Sequence, residues 1–349
     1  MERTRVLVID DSALIRKVVS ELLASDPQLE VVGTAVDPFD AREKIKQLNP
    51  DVLTLDVEMP RMDGITFLRN LMRLRPMPVV MLSTLTTQGA DITLEALEIG
   101  AVDFIAKPRT DQTSGLTKFR SLLIEKVKVA AGSGAQLQRI KAKRLNQRTS
   151  ERLSVTGALA DNRIIAVGAS TGGTEALRDV LQVLPPQMPP IVVTQHIPAS
   201  FSGRFARRLD KACGLTVCEA ANDMRIEAGH VYIAPGDLHL TIRRDKQGYV
   251  CRLDDRGAVN RHKPSVDVMY DSLLESDASD VIAVLLTGMG SDGAAGMKRL
   301  REVGVVTIAQ DEQSSLVWGM PGSAIKLGAA SLVVPLDQIA EKLVQYSQR

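Results

Sequence analysis

Apolar residues fall in short runs along this chain, separated by longer stretches in which apolar and charged positions recur with helical spacing. A short apolar run bounded by turn residues reads as a buried strand, and an apolar stripe at i, i+3, i+4 reads as a helix packed on one face. In roughly the first 125 residues the strand-like runs lie at 6–9, 30–35, 52–55, 79–82 and 103–106. Helical stretches follow at 12–23, 38–48, 64–73, 90–99 and 116–129. Strictly alternating strands and helices predict a parallel sheet covered on both faces. Residues 1–130 are therefore expected to form a five-stranded parallel α/β domain.

The pattern breaks over 131–160. Six basic residues (Arg139, Lys141, Lys143, Arg144, Arg148 and Arg152) stand there against Glu151 alone, with glycine and serine interspersed. This composition reads as an exposed interdomain linker with a transient helix near 137–145. A charge run of this kind is either a solvated face or a docking surface for an acidic partner.

A second domain is expected over 161–349. Strand candidates lie at 164–167, 191–194, 231–234, 281–286 and 305–309, and helices at 174–183, 200–212, 266–276, 293–301 and 312–319. Runs at 239–242 and 249–253 flank Asp245-Lys246-Gln247-Gly248 and predict a β-hairpin. The expected architecture is a doubly wound, mainly parallel α/β sheet with an antiparallel hairpin. No repeat of fixed period is present.

Length agrees with two cores, since 349 residues exceed the usual single-core size. A net charge of +1 gives no global case for nucleic acid or a charged membrane as partner. No uncharged apolar stretch reaches the roughly eighteen residues of a membrane span, and the first apolar run stops at Asp10-Asp11, too soon for an export segment. Cys213, Cys218 and Cys251 lack the spacing of a zinc site and read as reduced structural thiols of a cytoplasmic protein.

Three strand ends carry the residues of a possible hydrolase site. Ile164-Ile165-Ala166-Val167-Gly168-Ala169 leads to Ser170-Thr171-Gly172-Gly173, a later run ends at Gln195-His196, and another at Gly288-Met289-Gly290-Ser291-Asp292. Open α/β sheets place their chemistry at such carboxyl ends. A serine hydroxyl needs a base to take its proton, an imidazole titrates near neutrality, and an aspartate can hold that imidazole in the required tautomer. The glycines also allow a phosphate loop, but the lysine of a P-loop and the spacing of a dinucleotide fingerprint are both missing. Neither the Gly-x-Ser-x-Gly elbow nor the Ser, Asp, His order of α/β-hydrolases is present. Among the other histidines, His230 and His239 read as structural or surface residues. His262 could shape a substrate entrance, and Trp318 reads as the anchor of a C-terminal turn.

In the first domain Asp10 and Asp11 end one strand and Asp56 follows the third. Gathered carboxylates repel unless a cation intervenes, and their hard oxygens suit Mg²⁺. Ser83 and Lys107 follow the fourth and fifth strands and could bring a hydroxyl and an ammonium to a phosphoryl group on Asp56. The alternative is that each aspartate merely caps the next helix.

Val8-Ile9-Asp10-Asp11, Leu55-Asp56-Val57-Glu58-Met59-Pro60-Arg61-Met62-Asp63-Gly64, Ser83 and Lys107-Pro108 resemble response-regulator receiver domains, which are flavodoxin-like. The resemblance implies that Asp56 accepts a phosphoryl group from a chemotaxis histidine kinase. It also implies that Asp10, Asp11 and Asp56 hold Mg²⁺, that Lys107 contacts the phosphoryl group and Ser83 moves to it, and that Phe104 is the aromatic switch. In that family the Lys-Pro peptide is usually cis.

Gly168-Ala169-Ser170-Thr171-Gly172-Gly173, Gln195-His196-Ile197-Pro198, Tyr232-Ile233-Ala234-Pro235-Gly236, Arg261-His262-Lys263-Pro264-Ser265-Val266-Asp267 and Leu286-Thr287-Gly288-Met289-Gly290-Ser291-Asp292-Gly293 resemble the CheB chemotaxis methylesterases. That resemblance implies hydrolysis of glutamate methyl esters on methyl-accepting chemotaxis receptors, with release of methanol, and deamidation of receptor glutamines. Ser170 would be the nucleophile, His196 the base and Asp292 its orienting carboxylate. Met289 is the family's candidate for an oxyanion-hole amide, beside Thr171 from its place at a helix start. The implied enzyme is cytoplasmic, recruited to receptor arrays, activated by phosphorylation, and needs no cofactor for its esterase chemistry. Two other readings remain at this point: a catalytically silent hydrolase-like binding protein, and a DNA-binding regulator, for which no helix-turn-helix is apparent.

Overall fold

The computed structural model describes residues 3–59, 63–83, 87–107, 113–146, 152–155, 157–160, 163–276 and 280–348. The chain divides into two compact units, Met1–Asn146 and Gln147–Arg349. No helix among the described residues is long and apolar enough to cross a membrane.

The first unit runs β1 (Thr4–Ile9), α1 (Ala13–Ala24), β2 (Leu29–Ala35), α2 (Pro38–Leu48), β3 (Val52–Asp56), α3 (Gly64–Leu74), β4 (Val79–Ser83), α4 (Thr87–Ile99), β5 (Asp103–Ala106), α5 (Thr113–Gly132) and α6 (Gly134–Asn146). All its strand pairs are parallel, in the order β2-β1-β3-β4-β5. Burial explains the continuous apolar runs: Val6 to Ile9 and Val79 to Leu82 are fully covered. Side chains cap three helices, since Ser12, Asp37 and Asp63 each accept from N–H groups of the first turn. Within the segment expected as a linker over 131–160, the helix expected near 137–145 is present as α6. There α5 runs on to Gly132 and α6 begins two residues later. Burial of Ala130, Ser133 and Leu137 ties that junction into the first unit.

The second unit runs β6 (Ile164–Ala169), α7 (Gly173–Leu181), β7 (Ile191–Gln195), α8 (Ala199–Ala212), β8 (Thr216–Glu219), β9 (His230–Ile233), β10 (His239–Asp245), β11 (Gly248–Asp254), α9 (Val266–Glu275), β12 (Val281–Leu285), α10 (Ala294–Glu302), β13 (Val306–Gln310), α11 (Met320–Lys326), β14 (Leu332–Val334) and α12 (Leu336–Ser347). Seven strands form one sheet in the order β14-β13-β12-β6-β7-β9-β8, with every pair parallel. The hairpin β10–β11 stands apart as a two-stranded antiparallel sheet. From β6 the chain builds outward through β7 to β9 and β8, then returns to the other side of β6 with β12. The crevice between β6 and β12 is thus the topological switch point, where such sheets bind ligands.

The helix expected over 312–319 is absent; turns occupy that stretch and the helix begins at Met320. Local hydrogen bonds explain the difference. Asp311 Oδ1 accepts from Ser314 N and Ser314 Oγ, and Asp311 O accepts from Ser315 Oγ, a turn that competes with helix formation. The short edge strands β8 and β14, and α12, have no counterpart in the sequence reading.

Candidate active site

Ser170 follows β6 directly. Its N–H donates to Thr287 O (3.0 Å), and its carbonyl accepts from Gly173 N (2.7 Å) and Gln195 Nε2 (2.9 Å). The backbone of this half-buried serine is therefore held from the loop after β12, from α7 and from β7. Glycine is required behind it at 288, because a Cβ there would lie 2.8 Å from Ser170 Cβ. In the parallel register Ala169 faces Gln195, and His196 N donates to Ala169 O (3.1 Å). Ser170 and His196 thus leave adjacent strand ends.

Asp292 lies past the end of β12 and is 1 % exposed. Its Oδ2 accepts from His196 Nε2 (2.8 Å) and Val266 N (2.7 Å). Its Oδ1 accepts from Asn260 Nδ2 (2.8 Å), Ser265 Oγ (2.8 Å) and Asp267 N (3.3 Å). Burial pushes this carboxyl up, but the hydrogen bond and charge of His196, with the Asn260 and Val266 donors, outweigh it and hold the group well below the usual carboxylate range. Two of the donors are the first N–H groups of α9, whose N-cap Ser265 makes no side-chain cap of its own. Asp292 caps that helix from outside, and the helix dipole favours its charge.

Because an ionised carboxylate only accepts, the imidazole carries a proton on Nε2, and in its neutral form the nitrogen with a free lone pair is Nδ1. That atom is buried and hydrogen-bonds to nothing among the described residues. The orientation is the reverse of the serine-protease arrangement, in which Nδ1 faces the aspartate. Ser170 Oγ and His196 are not hydrogen-bonded to each other here, as in many substrate-free sites.

His262 stacks on His196 with ring centroids 3.7 Å apart and planes 7° from parallel. Thr171 is buried, and its carbonyl lies 3.0 Å from Thr287 Oγ1. Met289 is half-buried on the loop that backs Ser170. Trp318 pairs with Gly288 through an isolated bridge, stitching its turn to the same loop. Fully buried His239 is structural: its ring bonds Gly257 O (3.1 Å) and Ser265 N (3.1 Å). His230 bonds Ala228 O (3.0 Å) outside the site. Burial pushes the Cys213 thiol up to about 11 and Cys251 up to about 12, which disfavours the reactive thiolate in both. Sequence reasoning passed over Asn260, and Ser265 stood in its motif without an assigned role; the one signal for Asn260 was an Asn-Arg pair between Val259 and His262.

The second cluster lies in the first unit. Ligand oxygens of Asp10, Asp11 and Asp56 all fall within 4.8 Å of one another. Asp10 and Asp56 are buried and Asp11 is exposed. Lys107 Nζ sits 2.8 Å from both Asp10 Oδ2 and Asp56 Oδ1. Burial raises Asp56 to about 6, against the opposing pull of Lys107 and with a further push from Asp10. Three hard oxygen donors with excess negative charge and one exposed member fit a magnesium ion. Ser83 is buried and its hydroxyl accepts from Thr93 Oγ1 (2.7 Å). Phe104 is buried with Lys126 Nζ 5.4 Å from its ring centroid. The Lys107-Pro108 peptide lies outside the described residues.

Residues 165–343 match the family model described as CheB methylesterase, and residues 6–115 match the response regulator receiver domain. The chain is 53 % identical to a protein-glutamate methylesterase/protein-glutamine glutaminase of Hydrogenovibrio crunogenus, over 99 % of each chain. A second protein of that description, from Saccharophagus degradans, is also 53 % identical over 99 % of each chain. The crystal structure of the Thermotoga maritima CheB methylesterase catalytic domain covers 53 % of this chain and 99 % of its own, at 40 % identity and a TM-score of 0.52. Matches of this length and identity, with a receiver domain ahead of the methylesterase region, settle membership: the chain belongs to the CheB family of protein-glutamate methylesterases/protein-glutamine glutaminases.

Proposed function

We propose that this chain hydrolyses glutamate methyl esters on chemoreceptors, releasing methanol, and deamidates receptor glutamines, so serving chemotactic adaptation. The observation that carries the reading is the buried pair His196–Asp292, 2.8 Å apart, at the strand ends that also carry Ser170. Ser170 Oγ attacks the side-chain carbonyl carbon while His196 Nδ1 takes the hydroxyl proton. The Asp292 carboxylate stabilises the imidazolium that forms. Collapse of the tetrahedral intermediate transfers that proton to the leaving group, giving methanol from an ester or ammonia from an amide, and leaves a glutamyl ester on Ser170. Water then attacks this ester with His196 as base, restoring Ser170 and freeing a glutamate. The N–H groups of Thr171 and Met289 are the proposed oxyanion donors.

Residues 1–130 serve as the receiver, 131–160 as the joining segment and 161–349 as the catalytic domain. Asp56 takes a phosphoryl group from a chemotaxis histidine kinase, and esterase turnover rises as a result. Asp10, Asp11 and Asp56 would hold Mg²⁺, which supplies positive charge at the phosphoryl oxygens. Lys107 contacts the phosphoryl group, Ser83 exchanges its Thr93 contact for it, and Phe104 responds. The enzyme acts in the cytoplasm at receptor arrays, without membrane insertion and without nucleic acid. Methanol release from methylated receptor membranes, measured with and without a small-molecule phosphodonor, tests the reading. Equal release by wild type and Ser170→Ala would refute it.

A further inference from the structure

The tight turn Val259–His262 closes with two backbone bonds, Val259 N to His262 O (3.0 Å) and His262 N to Val259 O (2.9 Å). Both central residues are left-handed, Asn260 at φ 52° and Arg261 at φ 68°. Such two-residue turns favour Asn at the first position and Gly at the second. Arginine in that conformation is a strained choice, and retained strain points to a function for the geometry it fixes.

The residues on either side of Arg261 supply that function. Asn260 is exposed as a residue, yet its Nδ2 reaches Asp292 Oδ1 (2.8 Å) and Asp267 Oδ2 (2.6 Å). One amide thus donates to two carboxylates that would otherwise repel. Asp267 is itself mostly buried, with Gly296 N on its Oδ1 (2.6 Å). The next residue but one, His262, lies flat on the imidazole that Asp292 orients. The two members of the His196–Asp292 pair are therefore each held by one residue of the same turn.

We propose that the 259–262 turn is a positioning clamp for the His196–Asp292 pair, in which Asn260 fixes the Asp292 carboxylate plane through its bond to Asp267 while His262 limits rotation of His196. This rests on the esterase reading only for its kinetic readout. Asn260 acts through Asp292 and is a positioning residue. Among the described residues, the charged and titratable groups facing the pair include Asp267, His262 and Tyr270.

Two variants separate positioning from turn formation. Glycine and aspartate both tolerate a left-handed backbone, so Asn260→Gly and Asn260→Asp preserve the turn. Asn260→Gly removes the donor, and Asn260→Asp replaces it with a third carboxylate. In the full-length chain treated with phosphodonor, kcat for methanol release should fall about tenfold in Asn260→Gly and about a hundredfold in Asn260→Asp, with KM within twofold of wild type. These drops are of the order expected for losing one hydrogen bond to a charged group. The ¹⁵N resonances of the His196 ring, read without substrate, should shift in both variants, reporting a changed Nε2–H bond to Asp292. Wild-type kcat and unchanged ring resonances in both would overturn the clamp, leaving Asn260 as a turn former only. If wild type releases no more methanol than Ser170→Ala, the esterase reading fails, and the ring resonances still decide the clamp.

Discussion

Asp292→Asn is the most informative perturbation of the proposed site, because the carboxylate accepts five donors and an asparagine can accept at one end only. If the amide nitrogen takes the place of Oδ2, it meets Val266 N–H and His196 Nε2. The imidazole can adapt by moving its proton to Nδ1 and accepting at Nε2, but it then has no lone pair for the serine proton. If the amide nitrogen instead takes the place of Oδ1, it meets Asn260 Nδ2, Ser265 Oγ and Asp267 N. In serine proteases the equivalent wrong tautomer costs about 10⁴ in kcat, or about 5.5 kcal/mol of transition-state stabilisation. The first orientation keeps all three donors on the Oδ1 side and is therefore favoured, so the same factor is expected here for methanol release. One or two buried N–H groups are left unpaired in either orientation, at about 1–3 kcal/mol each. For a domain of this size that lowers the melting temperature by about 2–4 °C per kcal/mol. The assay is kcat at saturating methylated receptor, with thermal unfolding followed in parallel. A kcat within tenfold of wild type would refute the assignment of Asp292 as the orienting group, and an unchanged melting temperature would refute its role as the external cap of α9.

Ser170→Ala should lower turnover by at least about 10⁴ while leaving the melting temperature within about 2 °C, since one partly exposed oxygen is lost. Gly288→Ala should lower both stability and kcat, the former by about 1–3 kcal/mol, because the added methyl lands 2.8 Å from Ser170 Cβ. Magnesium binding to the first unit should weaken as pH falls below about 6, where the Asp56 carboxyl takes up a proton. The sign follows from competition between a proton and the cation for one oxygen, and the affinity should drop by about tenfold per pH unit. Calorimetric titration at pH 5 and pH 7 reads this, and equal affinities would count against Asp56 as a ligand. Lys107→Ala should weaken phosphodonor stimulation of methanol release, because it removes the cation 2.8 Å from Asp56.

The two parallel sheets were legible because strands buried on both faces read as unbroken apolar runs, as in Ile164–Ala169 and Val79–Ser83. The strand-end placement of Ser170, His196 and Asp292 was legible for the same reason: each follows such a run, and the carboxyl ends share one edge. The edge strands carried no such signal. Leu332–Val334 has three residues, and only Val334 among them is buried. The false helix at 312–319 arose where apolar spacing agreed with a helix but Asp311 and Ser314 offered the backbone a local alternative. Asn260 was invisible because its role depends on a partner 32 residues away across the fold. Nothing in its immediate neighbours distinguishes a turn former from a residue that also reaches into the site.

The sheet order has a consequence for how the enzyme comes into being. Ser170 and His196 emerge from the ribosome early in the second unit, whereas Asp292 follows β12, the strand that must pair along β6 on the side away from β7. Until it arrives, β6 presents a bare apolar edge, and His196 has no carboxylate. A nascent or prematurely terminated chain lacking β12 is therefore inert toward receptor esters and prone to pair with other exposed strands. The carboxylate that orients His196 thus arrives only with the strand that covers this side of β6, so a chain made no further than α9 lacks it.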